Sequence, residues 1–267
     1  MYKRQSATIK YQNDKIVSSI EYASSIQNAI LPPVAGIKSV LPDSFVMYRP
    51  VELVSADFYF FYQVPNQNRF FISVIDCTGH GVPGALMSMI GHKSLREIVL
   101  SGEDNVAAIL TRLHENVVEA LNQGKTDNKD GMDLAFCHVD LDKKVLQYSG
   151  ARNPLVYIQD GKAEVIEATR RPVGGVYHKP LPEFELKEIS IEKPTDIYLF
   201  SDGYTDQFGG EKGRKFYSRN LYTLIEEVHN KPFSQQHNIF TSKFDQWKGD
   251  NYVQVDDVTL IGFRIGN

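Results

Sequence analysis

Four places in the 267-residue sequence bring aspartate to the edge of an apolar run. They are Asp57 in "LVSADFYFF", Asp76 in "FFISVIDCTGHG", Asp202 in "IYLFSDGYTD", and the pair Asp256 and Asp257 in "VQVDDVTLIGF". A single aspartate in such a place is most often a turn or cap residue. Four together ask for a shared explanation, because a carboxylate beside apolar residues is costly to desolvate unless it is paired. No matching set of four Arg or Lys residues stands at corresponding positions. A divalent cation site would satisfy all of them, and a ligand set made only of oxygens selects hard metals, Mg2+ or Mn2+, over zinc or copper.

Other chemistries for the Gly- and His-rich turn after Asp76 fit less well. "GHGVPGA" is not the GxxxxGK[ST] pattern of a phosphate-binding loop. Cys77, His80 and His92 do not have the spacing of a zinc site. The GxSxG of a serine nucleophile elbow is absent.

The elements that must hold these carboxylates are legible as short strands. "SFVMYRP", "DFYFFYQV" and "RFFISVID" carry aromatic and β-branched residues, with "PNQN" as a hairpin turn. Residues 83–100 and 104–123 read as helices, followed by the polar loop "NQGKTDNKDG". "MDLAFCHVDL", "KVLQYSG", "PLVYIQDG", "AEVIEA" and "TDIYLF" then read as strands, 218–230 and 235–247 as helices, and "VDDVTLIGFRI" as a closing strand. Strands in runs with helices in pairs between them predict sheets packed on each other with helices outside.

The N-terminal text is different. Residues 14–31, "DKIVSSIEYASSIQNAIL", read as a helix stopped by Pro32 and Pro33, with a Pro- and Gly-containing link after it. Ile16, Ile20, Ala23, Gln27 and Ile30 recur at alternating spacings of four and three, a narrow seam with one polar position. Such a helix either pairs with a second copy or packs on its own domain. We expect the first, giving a homodimer through residues 14–31.

Composition bounds the rest. The chain is 42% hydrophobic and 23% charged, with a net charge of −4 and no basic block, which disfavours nucleic acid and anionic membranes as partners. No apolar stretch approaches the roughly 18 residues of a membrane span, and the start lacks a signal-peptide core. Cys77 and Cys137 both lie in apolar text and read as buried free thiols of a reducing compartment, so we expect a cytoplasmic protein.

"RPVELVSADFYFF", "DCTGHGVPGALMSMIG", "DGMDLAF", "GARNPLVYI", "LFSDGYTDQFGG" and "DDVTLIGFRI" resemble, in order and over about residues 26–265, the motifs of SpoIIE-like bacterial serine phosphatases. These belong to the metal-dependent type 2C protein phosphatase class. The resemblance implies an α+β fold, a four-layer α-β-β-α sandwich of two antiparallel sheets flanked by helices. It would comprise a phosphatase domain at 34–267 behind a helical arm at 1–33. It also implies two Mn2+ or Mg2+ ions bound by Asp57, Asp76, the Cys77 carbonyl, Asp202 and Asp256, with Asp257 as the alternative to Asp256. Asp130 or Asp133 would hold a third ion or orient a water. A metal-bridging hydroxide would attack phosphoserine or phosphothreonine in line, with His80 as candidate general acid and Arg49, Arg152 and Asn153 as candidate substrate contacts. His80 reads equally as a turn histidine, Arg49 as a surface strand arginine, and the Arg152–Asn153 motif as strand-turn packing.

The implied substrate is a phosphorylated signalling protein, an anti-sigma-factor antagonist among the family's usual ones, and the arm resembles linkers that join such domains to upstream sensors. One residue departs from the pattern: Ala56 stands where the family carries glycine before the first aspartate. If that position needed positive φ or close approach, alanine would strain it and retune metal binding. It is the only support for a second reading, a non-catalytic partner-switching regulator; a phosphohydrolase of small esters or nucleotides is a third.

Overall fold

The computed structural model describes residues 2–177 and 181–266. Along the chain follow α1 (Tyr2–Ile30), α2 (Val34–Val40), β1 (Ser44–Arg49), β2 (Phe58–Gln63), β3 (Arg69–Cys77), α3 (Gly81–Leu100) and α4 (Val106–Ala120). Next come β4 (Gly131–Asp140), β5 (Val145–Ala151), β6 (Leu155–Gln159), β7 (Lys162–Ile166), β8 (Val173–Gly174), β9 (Lys187–Ser190) and β10 (Thr195–Phe200). The remainder is α5 (Gly203–Asp206), β11 (Phe208–Gly209), β12 (Arg214–Lys215), α6 (Ser218–Val228), α7 (Phe233–Lys248) and β13 (Val258–Ile265).

The strands form two antiparallel sheets, one ordered β1-β13-β10-β6-β7 and the other β2-β3-β4-β5-β9, with β8 paired to β4 and β11-β12 a separate small hairpin. Period-two alternation sorts the side chains of β3. Phe70, Ile72 and Val74 enter the core between the sheets, against Ile197, Leu199, Ile261 and Phe263. Phe71, Ile75 and Cys77 point the other way, into the core under α3 and α4 with Leu95, Leu110 and Leu113. On the far side of the first sheet, Met47, Tyr198 and Phe200 pack beneath α6 and α7 with Ile225, Phe240 and Phe244. Three apolar layers between four structural layers make the expected α-β-β-α sandwich. Cys77 and Cys137 are buried and unbridged, as expected.

Several elements differ from the sequence reading. The arm helix begins at Tyr2 rather than at 14, because residues 2–13 contain no Gly or Pro and nothing at Asp14 interrupts the helix. The link after Pro33 contains α2, whose Ile37 is buried between the sheets, and β9 arises from the polar text "KEIS", where only Ile189 is buried. Both are too short to show a period. Gln27, placed in the predicted intermolecular seam, instead turns inward and is 5% exposed. Ile16, by contrast, is 58% exposed.

Candidate active site

Four of the predicted carboxylates, Asp76, Asp133, Asp202 and Asp256, line one cavity, and Asp57 is buried close enough to Asp76 to raise it by its charge. Asp57 precedes β2 and is fully buried; its Oδ2 accepts hydrogen bonds from Ser201 Oγ at 2.6 Å and Thr259 Oγ1 at 2.9 Å. Asp76 is the penultimate residue of β3 and faces Asp133 of β4 in register. Asp202 follows β10, and Asp256 lies just before β13. Asp76, Asp133, Asp202 and Asp256 line a cavity of about 280 Å³ together with the Cys77 backbone, His80, Lys129, Arg152 and Tyr177. The Cys77 side chain belongs to the helix-side core, so the residue presents its main chain to the cavity.

The electrostatics of this cluster are unfavourable as they stand. Burial pushes Asp57 and Asp76 well above the ordinary carboxylate range. Asp76 is driven further by Asp57, Asp202, Asp256 and Asp133. Burial also raises Asp202 and Asp256, and Asp76 and Asp202 lie near enough to share a proton. Asp133 is pushed up to about 6, mainly by burial and against the pull of Arg152, whose Nη1 is 3.5 Å away. The cations at hand, Arg152 for Asp133, Lys215 for Asp202 and His80 for Asp256, do not bring these carboxylates back to the ordinary range, and no cation offsets Asp57 or Asp76.

An all-oxygen donor set with this excess of negative charge fits divalent Mg2+ or Mn2+. Among the described residues, no three His, Cys, Asp or Glu side chains are drawn closely enough together to close around one ion. Uncompensated like charges in a desolvated place oppose that convergence.

The paired aspartates separate by role. Asp256 lines the cavity, whereas Asp257 is buried and accepts from the backbone N–H groups of Val51 and Ala56, both at 2.7 Å, anchoring the loop that leads to Asp57. Of the "KDGMD" pair, Asp133 reaches the cavity; Asp130 does not line it and accepts instead from Asn128. Two predicted substrate contacts are placed elsewhere. Arg49 is paired with Asp245 at 2.6 Å and stands over the Phe244 ring, so the surface-strand reading describes it. Asn153 is buried with its carbonyl accepting from Tyr148, which is the strand-turn packing alternative. Its neighbour Arg152, at φ +59°, is the one that reaches the cavity. His92 lies between the Phe58 and Phe60 rings and is not brought to Cys77 and His80.

His80 lies at the N-terminus of α3, exposed at the cavity rim, with Nδ1 2.7 Å from Glu52 Oε1. The bond to Glu52, with its negative charge, raises the imidazole above its ordinary range. Glu52, Lys129 and Tyr177 have no signal in the sequence, since each comes from a loop whose path the fold decides. Ser201 did have one, because a small polar residue directly before a strand-end aspartate is a natural donor.

Ala56 resolves differently from the expectation. It is not among the residues with positive φ, so its backbone carries no left-handed strain. Close approach is real, but α3 makes the room: a Cβ at Gly84 would lie 2.5 Å from the Ala56 Cβ. Gly84→Ala should therefore cost about 1–3 kcal/mol by overpacking, and Ala56→Gly in the same chain should recover part of it. Thermal unfolding of the two variants checks this; a Gly84→Ala protein as stable as wild type would show that the contact yields freely. Ala56→Gly alone should leave Mn2+ affinity unchanged.

Comparison with known proteins agrees with this fold. A family described as Stage II sporulation protein E (SpoIIE) matches residues 66–266. The chain is 26% identical over 190 residues to the phosphoserine phosphatase RsbP of Bacillus subtilis, covering 70% of this chain but only 45% of RsbP's length. It superposes on the SiaA-PP2C domain of Pseudomonas aeruginosa with a TM-score of 0.85 and 30% identity, over 95% of this chain and 98% of that one. RsbX, solved in complex with magnesium, shares the fold at a TM-score of 0.56 and 12% identity, over 83% of this chain and 94% of its own. Motifs, sandwich and carboxylate cavity converge with these likenesses, and the chain belongs to the SpoIIE family of PP2C-type bacterial serine phosphatases.

Proposed function

We propose that this chain hydrolyses phosphoserine and phosphothreonine on a signalling protein, with Mn2+ or Mg2+ held at the Asp76 cavity. One observation carries the reading: Asp76, Asp202 and Asp256 face a single cavity, with Asp57 buried within charge range of Asp76, and all four are held above the ordinary carboxylate range. Divalent ions bound there would acidify a water and draw charge from the phosphoryl oxygens. The protein's own groups do the rest. Asp57, Asp76, Asp202, Asp256 and the Cys77 carbonyl would hold the ions, and Ser201 and Thr259 fix the Asp57 carboxylate. Asp133 stands at the margin of the cavity, suited to a third ion or to a water. Arg152 offers its guanidinium to the phosphoryl oxygens. His80, whose imidazolium form is favoured by the bond to Glu52, gives its proton to the departing serine alkoxide.

Hydrolysis of an aryl phosphate with Mn2+, abolished by EDTA, tests the activity. Faster turnover of phosphoserine and phosphothreonine proteins than of phosphotyrosine or nucleotides tests the substrate class. The RsbP likeness supports phosphoserine, and a signalling protein such as an anti-sigma-factor antagonist is the substrate that the motif resemblance implies.

A pH test follows from the His80–Glu52 bond. Glu52 holds the imidazolium form to higher pH, so Glu52→Gln should move the alkaline limb of the rate profile to lower pH, and His80→Gln should remove that limb. A pH–rate profile unchanged in both variants would remove His80 from proton transfer.

The helical arm would join two copies of the chain through α1 and connect the phosphatase domain to a sensor in a longer protein. No helix among the described residues is long and apolar enough to cross a membrane.

A further inference from the structure

Among the described side chains of α1, the one buried residue is a glutamine. A helix lying on its own domain ordinarily buries apolar residues, and a buried amide is tolerated only when its hydrogen bonds are made. Gln27 makes three. Its Oε1 accepts from Ser55 N–H at 2.9 Å, and its Nε2 donates to the Ser55 carbonyl at 2.6 Å and to Ser88 Oγ at 2.9 Å. The amide thus pairs with both main-chain groups of Ser55 as a neighbouring strand would, and ties them to α3 through Ser88.

Ser55 is two residues before Asp57. The next residue, Ala56, gives its N–H to Asp257 and rests its Cβ over Gly84. The segment entering the metal site is therefore held on three sides, by Asp257, by α3 and by the arm. Two of these supports come from the catalytic domain. The third is Gln27, from an element that sheet topology does not require.

We infer that Gln27 is a positioning residue for the metal site: its hydrogen bonds to Ser55 set the path of the backbone that delivers Asp57. This rests on Asp57 belonging to the metal-binding set. Partners that orient ligands typically change metal affinity about 10–100-fold when removed. Leucine at 27 would fill the same space while leaving both main-chain groups of Ser55 buried without their partner.

The test compares wild type with Gln27→Leu, Gln27→Glu and the exposed control Asn28→Ala. Mn2+ binding is measured by calorimetry, and amide exchange at residues 55–57 in the metal-free protein. Gln27→Leu should weaken Mn2+ binding about tenfold and speed exchange at Ser55, with aryl phosphatase activity recovering at saturating Mn2+. Gln27→Glu keeps the acceptor for Ser55 N–H but loses both donated bonds, so it should weaken binding by less, and it reads the same quantity if the leucine variant does not fold. Asn28→Ala should match wild type. Wild-type Mn2+ affinity in the Gln27 variants, even with a lowered melting temperature, would overturn the inference and leave the metal site standing. No Mn2+ binding by wild type would overturn the metal site itself, and this inference with it.

Discussion

Asp76→Asn and Asp202→Asn should each lower metal-dependent hydrolysis by several orders of magnitude while making the metal-free protein more resistant to heat. The two effects have one cause. Burial and mutual repulsion hold Asp57, Asp76, Asp202 and Asp256 above the ordinary carboxylate range, with Asp133 at about 6. An aspartate whose folded pKa exceeds its unfolded value binds protons more readily in the folded state. Stability therefore rises as pH falls through the folded pKa toward the unfolded value near 4, and is lost as pH rises through that window. At neutral pH the metal-free site works against the fold.

Asparagine removes one charge from the cluster, and a gain of about 1 kcal/mol would read as roughly 2–4 °C in a domain of this size. The same change removes a ligand charge that a neutral amide cannot replace at a metal centre. Wild-type metal-free protein should melt higher at pH 5.5 than at pH 8 and gain stability from Mn2+; the variants should show a flatter pH dependence and little response to the ion. Full activity in either variant would sink the site assignment. Lowered stability in both would show that the carboxylates do not strain one another. Asp257→Asn separates the adjacent pair: it should destabilise the protein, because Asp257 anchors the Val51 and Ala56 amides, whereas Asp256→Asn should follow the pattern of Asp76.

Ile16→Ala together with Ile20→Ala should dissociate the proposed dimer without disturbing the catalytic fold. Ile9 and Ile16 are 65% and 58% exposed, and Ile9, Ile16, Ala23 and Ile30 recur every seven residues along a helix longer than the sequence suggested. Ile20 and Ile30 are half-buried, so the exposed part of the stripe is N-terminal. A heptad stripe of this kind would form a coiled-coil seam, and a helix of this length gives it enough turns to pair. Each isoleucine buried in such a seam is worth about 2–5 kcal/mol on truncation to alanine. Inward burial of Gln27 removes the polar member from that seam and leaves an apolar stripe on the N-terminal part of the arm. Light scattering decides the matter: a wild-type monomer at high micromolar concentration means the stripe has no second copy to meet.

The site was legible because its parts carry local signals. Alternation in "RFFISVIDC" sets which side chains face the other sheet, and the same parity puts Asp76 on the inter-sheet face at the strand's end. No step of that reading needed a neighbour. The Asp256–Asp257 choice did. By alternation Asp257 continues the face of Thr259, Ile261 and Phe263, yet the turn before β13 gives the cavity to Asp256 and commits Asp257 to the loop amides. Arg49, Arg152 and Asn153 are all candidates as sequence; the partner that claims Arg49, Asp245, is almost two hundred residues away and joins it only through the packing of α7 on β1.

Composition, strand pattern and ordered motifs thus determined the family, the sandwich and the carboxylates, because each is encoded within a few neighbouring residues. Tertiary structure alone decided which carboxylates share the cavity, that Gly84 makes room for Ala56, and that Gln27 turns inward to Ser55. Those depend on which distant segments are brought within hydrogen-bond or van der Waals distance, and no local period records that.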